Sequence, residues 1–167
     1  FRSPVRCPRS PGYGTDSSAA KLLVPAVPGR DAVAGLPGCE EAVMGADQPQ
    51  RLPSHTPTCM GCGPDNPHGL QLEVFRCGDE VFADLVFDER HIGAPGLAHG
   101  GAIAAACDDV LGFSLWIAAT PAVTRRLTVD YLQPVPLGCT HRLTARIATR
   151  EGRALHVDGV GVGVDGV

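Results

Sequence analysis

Lysine is almost missing from this 167-residue chain: Lys21 is the only one, and every other basic side chain is Arg. That bias says more about nucleotide composition than about function. Aromatic residues are scarce at 5%, so a core has to be assembled from Val, Leu, Ile and Ala. Charge is modest as well, 19% of residues with a formal net charge of -4. That balance excludes a general basic surface for nucleic acid. No apolar run approaches the roughly 18 residues needed to span a bilayer, so no membrane partner is expected. The seven cysteines are odd in number and irregular in spacing, and no secretory hydrophobic region precedes them. A reduced, cytoplasmic setting is the expectation, with most cysteines serving as small buried hydrophobes.

What is present divides the chain near residue 55. Residues 1–54 are rich in Pro, Gly, Ala and Arg, with Pro4, Pro8, Pro11, Pro25, Pro28, Pro37, Pro49 and Pro53 interrupting any helix or strand. Such a segment buries too little apolar surface to offset its ordering entropy, and it is read as disordered or loosely packed. The chain begins with Phe1, and Met44 opens MGADQPQRLPSHTPTC. Met44 is therefore the expected natural start, with the upstream residues non-native.

Residues 55–167 carry the folded domain. Leu70, Leu72 and Val74 alternate with polar residues, Cys77-Gly78-Asp79-Glu80 makes a turn, and Val81 to Phe87 follows as a second strand. Residues 88–98 form a loop with Gly93, Pro95 and Gly96. From His99 to Ala119, Ile103, Cys107, Val110, Leu111 and Ser114 fall at helical spacing, and Pro121 ends the run. This predicts one helix of about 18–20 residues, buried in the concavity of a sheet. Strands follow at 123–131, 139–150 and 155–164, and Asp165-Gly166 opens a further turn with no strand after it.

Two features of the helix point to chemistry. Gly100-Gly101 stand at its start, where unpaired N–H groups point outward and a ligand can approach the backbone closely. They suggest an oxyanion hole for a carbonyl, or else a tight loop-to-helix junction. Asp108 and Asp109 interrupt the apolar helix, as a catalytic base or nucleophile or as ordinary solvated acids. Gly101 and Asp108 share a face but lie about 10 Å apart along the axis at 1.5 Å per residue. A reacting carbonyl needs both groups within roughly 3 Å. If this pair is the site, Gly101 of one protomer most simply faces Asp108 of another across a two-fold axis.

The pieces CMGCGPDNPHGL at 59–70, GAPGLAHGGAIAAACDD at 93–109 and VTRRLTVDYLQPVPLG at 123–138 resemble, in order, the hotdog-fold acyl-CoA thioesterases, closest to the PaaI and THEM types. The resemblance runs from Cys59 to Asp165. It implies an α+β hotdog fold, an antiparallel β-sheet wrapped around a long central helix, assembled as a homodimer or a dimer of dimers. It implies hydrolysis of an acyl-CoA thioester without cofactor or metal. By the same resemblance Asp108 is the nucleophile or general base, Gly101 the backbone donor with Gly100 beside it, Thr124 the hydroxyl that places the water, and His99 the motif histidine that orients the loop and meets substrate. The final strand of the fold is absent from the sequence. That strand is expected inside the sheet, so its loss should leave its neighbours' backbone unpaired.

Around this frame, Asp109 is the fallback acid. Asn66 either lines the acyl pocket or caps a turn. His91 borders the entrance, and Arg125, Arg126 and Arg142 either meet the phosphates of CoA or form a solvated strand face. Phe113 and Trp116 belong to the core more readily than to the pocket. Cys59-x-x-Cys62 resembles half of a zinc knuckle, but only His68 and Cys77 lie downstream within reach, and no metal is expected. His55, His141 and His156 read as scattered surface or loop residues. A hotdog dehydratase would place an Asp and a His together before the helix, which this chain does not. A non-catalytic acyl-CoA sensor on the same fold is the alternative, and it would be expected to lack the acid at 108.

Overall fold

The computed structural model describes residues 48–164 and the backbone of Ala20–Pro25. Nine strands are described: β1 Ala20–Pro25, β2 Gln50–Arg51, β3 Phe75–Cys77, β4 Glu80–Val86, β5 Ile92–Ala94, β6 Leu97–Ala98, β7 Arg126–Thr128, β8 Thr140–Glu151 and β9 Ala154–Gly163. Helices α1 Gly100–Gly112 and α2 Ser114–Ala118 follow β6. Seven strands make one antiparallel sheet in the order β2-β3-β4-β8-β9-β1-β7, while β5 and β6 form a separate small ribbon.

The two hairpins lie where the turn residues put them. Gly78 takes φ 62° between β3 and β4, and Gly152 takes φ 58° between β8 and β9, left-handed conformations that glycine adopts without strain. Residues 70–74, expected as strand, run instead as irregular chain into the three-residue β3, with Gln71 at φ 50°. Likewise the expected strand 123–131 pairs only over Arg126–Thr128.

The expected helix is present but jointed. It breaks at Phe113, then ends as Ala119 turns left-handed ahead of Pro121. Over Gly100–Ala118 it is, by length and composition, long and apolar enough to cross a membrane, contrary to the absence of any such run expected from the sequence. In the fold that apolar surface packs on the sheet. Ala106, Cys107, Val110 and Leu111 meet Val81, Ala83 and Leu85 of β4, Leu143 and Ala145 of β8, and Leu155 and Val157 of β9. Close approach is possible because residue 159 is glycine: a Cβ there would lie 2.7 Å from Leu111 Cδ1. On the sheet's other face Phe82 is buried beneath Phe75, with ring centroids 5.7 Å apart, and beneath the Arg142 guanidinium, 4.9 Å from its ring.

Three expectations need correction. The segment 1–54 is not without regular structure: β1 and β2 both fall in it. The rest of the unstructured expectation and the Met44 start lie outside the described residues. Nor is the sheet left with a gap where the final strand was missed. β1 lies between β9 and β7, pairing Ala20–Pro25 with Gly159–Ala154 and Lys21–Leu23 with Thr128–Arg126. Lastly, Cys59, Cys62, Cys107 and Cys139 are free thiols as expected, but Cys77 is disulfide-bonded.

Candidate active site

The start of α1 is built by the preceding ribbon. The His99 N–H donates to the His91 carbonyl at 2.7 Å, and Gly93 lies so close to His99 that a Cβ there would stand 2.6 Å from its Cα. His99 is the N-cap residue: its Nδ1 accepts from the Gly101 N–H at 2.8 Å, and its carbonyl accepts from the Ala102 and Ile103 N–H groups. The N–H expected to polarise a carbonyl is thus held by the motif histidine, and the two would compete for it. Tyr131, which the sequence reading passed over as a strand residue, donates from its hydroxyl to the Gly100 carbonyl at 2.9 Å.

Two turns further along the helix, Asp108 accepts a hydrogen bond from Thr124 Oγ1 at 2.8 Å. Thr124 is exposed just ahead of β7, and Asp108 is half-buried. The fold thus brings together two residues sixteen apart in sequence. One face of α1 at Ile103 and Cys107 opens on a cleft of about 380 Å³, walled by Tyr131, Val135, His141 and Leu143. Burial, and then the negative charge of Asp108, push the Cys107 thiol up to about 11, so it stays a protonated, hydrophobic wall residue.

Other expected site residues are used elsewhere. Asp109, one residue on, points about 100° around the helix from Asp108. Its Oδ1 meets His55 Nδ1 at 3.3 Å and the Cys59 thiol at 3.6 Å, and its Oδ2 is buried with no hydrogen-bond partner. The Asp109 carboxylate, and then the Cys62 sulfur, raise the His55 imidazole to about 10. Asn66 is a loop brace: Nδ2 donates to the carbonyls of Thr58 and Cys59, and Oδ1 accepts from the His68 N–H. His91 does not border an entrance. Its side chain is 11% exposed, its Nδ1 accepts from the Asp88 N–H at 3.2 Å, and its ring meets Phe87 edge-on. Arg142 is committed to a two-pronged pair with Asp84, both contacts at 2.6 Å. Arg125 and Arg126 remain exposed, the latter on the edge strand β7. Phe113 is buried in the core and stacks at 4.3 Å on His55.

Comparison with known proteins shows what the chain is similar to. Residues 95–162 match the family described as the thioesterase superfamily. Over 61 residues the chain is 39% identical to the acyl-coenzyme A thioesterase THEM4 of Xenopus laevis, a match covering 36% of this chain and 28% of that protein. A thioesterase superfamily protein of solved structure superposes with TM-score 0.62 and 26% identity, covering 66% of this chain and 55% of its own. A thioesterase superfamily protein from Shewanella loihica PV-4 has 27% identity and TM-score 0.45, covering 59% of this chain and 96% of its own. Residues 95–162 are thus similar to the thioesterase superfamily, and the antiparallel sheet with its long helix resembles the solved fold of one of its members. The chain spans little more than a quarter of the curated relative it matches.

Proposed function

We propose that this domain hydrolyses acyl-CoA thioesters, with Asp108 as the acid-base or nucleophilic group. The observation that carries this reading is the 2.8 Å hydrogen bond from Thr124 to Asp108. It ties up Oδ1 and fixes the carboxylate, leaving Oδ2 to act. As a general base, Oδ2 takes a proton from water while the water oxygen attacks the thioester carbonyl. The C–S bond then breaks, and the leaving CoA thiolate takes up a proton. As a nucleophile, the same oxygen attacks the carbonyl directly, and the C–S bond breaks to expel the CoA thiolate, which takes up a proton. Water then cleaves the resulting anhydride to the free acid and the Asp108 carboxylate. The developing oxyanion takes the Gly101 N–H once the His99 imidazole gives it up. The cleft along Ile103 and Cys107 suits an apolar acyl group. Arg125 and Arg126 are the cations left to meet the phosphates of CoA.

Since Gly101 and Asp108 of one helix lie about 10 Å apart along its axis, the complete site needs a second protomer. Val123, Tyr131 and Leu132 are 55–68% exposed beside Thr124 and Gly100, which supports this face as the one a second copy covers.

One observation favours a second reading, acyl-CoA binding without turnover: the Gly101 N–H is already satisfied by His99. Thiol release from a panel of acyl-CoAs decides between them. Turnover that falls by about 10²–10⁴-fold in Asp108→Asn is expected for the enzyme. Binding without turnover would establish the sensor.

A further inference from the structure

Outside the proposed active site, four metal-ligating side chains converge on one point. His55, Cys59, Cys62 and Asp109 each offer a donor atom, and these atoms all lie within 4.8 Å of one another. Three edges of the group measure 3.3 Å (His55 Nδ1 to Cys62 Sγ), 3.3 Å (His55 Nδ1 to Asp109 Oδ1) and 3.6 Å (Cys59 Sγ to Asp109 Oδ1). Tetrahedral zinc with bonds of about 2.0–2.3 Å sets its ligands roughly 3.3–3.8 Å apart. The three measured edges fall in that range, and the other three are within 4.8 Å.

Hydrogen bonds alone serve this cluster poorly. Nδ1 of His55 has two neighbours at 3.3 Å, Asp109 Oδ1 and Cys62 Sγ, and its single proton can serve only one of them. The Cys59 thiol and the imidazole both converge on Oδ1, while the buried Oδ2 has no partner. A buried carboxylate oxygen left unmatched is costly. The chain is also shaped to admit Asp109: at Gly61, between the two cysteines, any Cβ would lie 2.2–2.6 Å from the Asp109 side chain. The loop is then braced from outside. The Gly63 N–H donates to the Cys59 carbonyl, the Leu70 and Leu72 N–H groups donate to the Met60 and Gly61 carbonyls, and Asn66 holds the Cys59 carbonyl.

We propose that His55, Cys59, Cys62 and Asp109 form a structural zinc site that pins the 55–63 loop to helix α1. The ligand set, two thiolates, an imidazole and a carboxylate, suits Zn(II) in both softness and geometry. All four positions come from protein, so the site is closed, and it lies beside the proposed chemistry without taking part in it. The ligand pattern is H-x3-C-x2-C with a remote Asp. The downstream His68 and Cys77 do not belong to it, and Cys77 is disulfide-bonded.

The test uses the full chain, purified with a non-thiol reductant and zinc in the growth medium, then assayed for metal by mass spectrometry. About one zinc per chain is expected. After chelation, Co(II) added to the wild-type protein should give the intense thiolate-to-metal absorption of a tetrahedral site, bleached by one equivalent of Zn(II). Cys59→Ser should weaken that absorption markedly, and Cys139→Ser should leave it unchanged. Folded wild-type chain that carries no zinc and gives no such absorption with Co(II) overturns the site. So does an absorption that survives in Cys59→Ser but vanishes in Cys139→Ser. The wild-type spectra stand even if a ligand variant fails to fold, and neither readout depends on thioester hydrolysis.

Discussion

Thr124 Oγ1 donates a hydrogen bond to Asp108 Oδ1 at 2.8 Å, joining the segment just before β7 to the middle of the central helix. The contact orders a half-exposed carboxylate that its own helix does not restrain. Thr124 is a positioning residue on this reading, because it acts through Asp108. Thr124→Val keeps the volume and removes the donor, and it should lower kcat about tenfold, the loss of roughly one charge-assisted hydrogen bond. KM should hold, and Thr124→Ser should restore most of the rate. Steady-state kinetics of the three forms check this. A Val variant with unchanged kcat would separate Thr124 from the chemistry.

The distance between Gly101 and Asp108 gives a sharper test. Asp108→Asn removes the acid. Gly101→Pro removes the N–H at a helix position where proline's backbone is tolerated. Each variant alone should be nearly inactive. If every site takes Gly101 from one chain and Asp108 from another, a mixed dimer contains one doubly damaged site and one intact site. Equal amounts of the two chains, unfolded and refolded together, should regain about a quarter of wild-type activity. Activity that stays at the level of the separate variants would place both groups of one site on a single chain.

Much of this domain was legible in the sequence because local chemistry and tertiary context agree there. Gly78 and Gly152 mark turns that take left-handed backbone, and the alternation in 139–164 becomes the long β8–β9 hairpin. Val110 and Leu111 fall at helical spacing and are buried in the core. Asp108 and Thr124, singled out by the motifs, are hydrogen-bonded to each other, whereas the His99–Gly101 bond was invisible because side-chain capping leaves no periodic signal.

The metal-ligating cluster was missed for a different reason. Its fourth member, Asp109, lies 50 residues from Cys59, and His55 precedes the cysteine pair instead of following it. Sequence spacing can report donors that share a loop but not one delivered by a helix packed against it. The role of β1 was hidden in the same way. Proline-rich flanks argue against a strand, and only the open backbone between β9 and β7 gives residues 20–25 their partners.

That last relationship supplies the remaining prediction. β1 is hydrogen-bonded on both sides, to β9 along its whole length and to β7 over Lys21–Leu23. A chain started at Met44 keeps β2, the 55–63 loop, both helices and every proposed active-site residue, but it loses β1. Two strand edges that were paired then face water or each other's side chains, and β7 loses its link to the rest of the sheet. At roughly 0.5–1.5 kcal/mol net for each ladder hydrogen bond, the loss amounts to several kcal/mol, a large part of a domain's stability. The Met44 form should therefore melt well below the 167-residue chain, aggregate at lower concentration, and exchange its β9 amides at 154–159 faster. Thermal melts and hydrogen exchange of the two forms, made side by side, read this directly. A Met44 form with the same Tm and the same protection along β9 would show that residues 20–25 do not hold the sheet together.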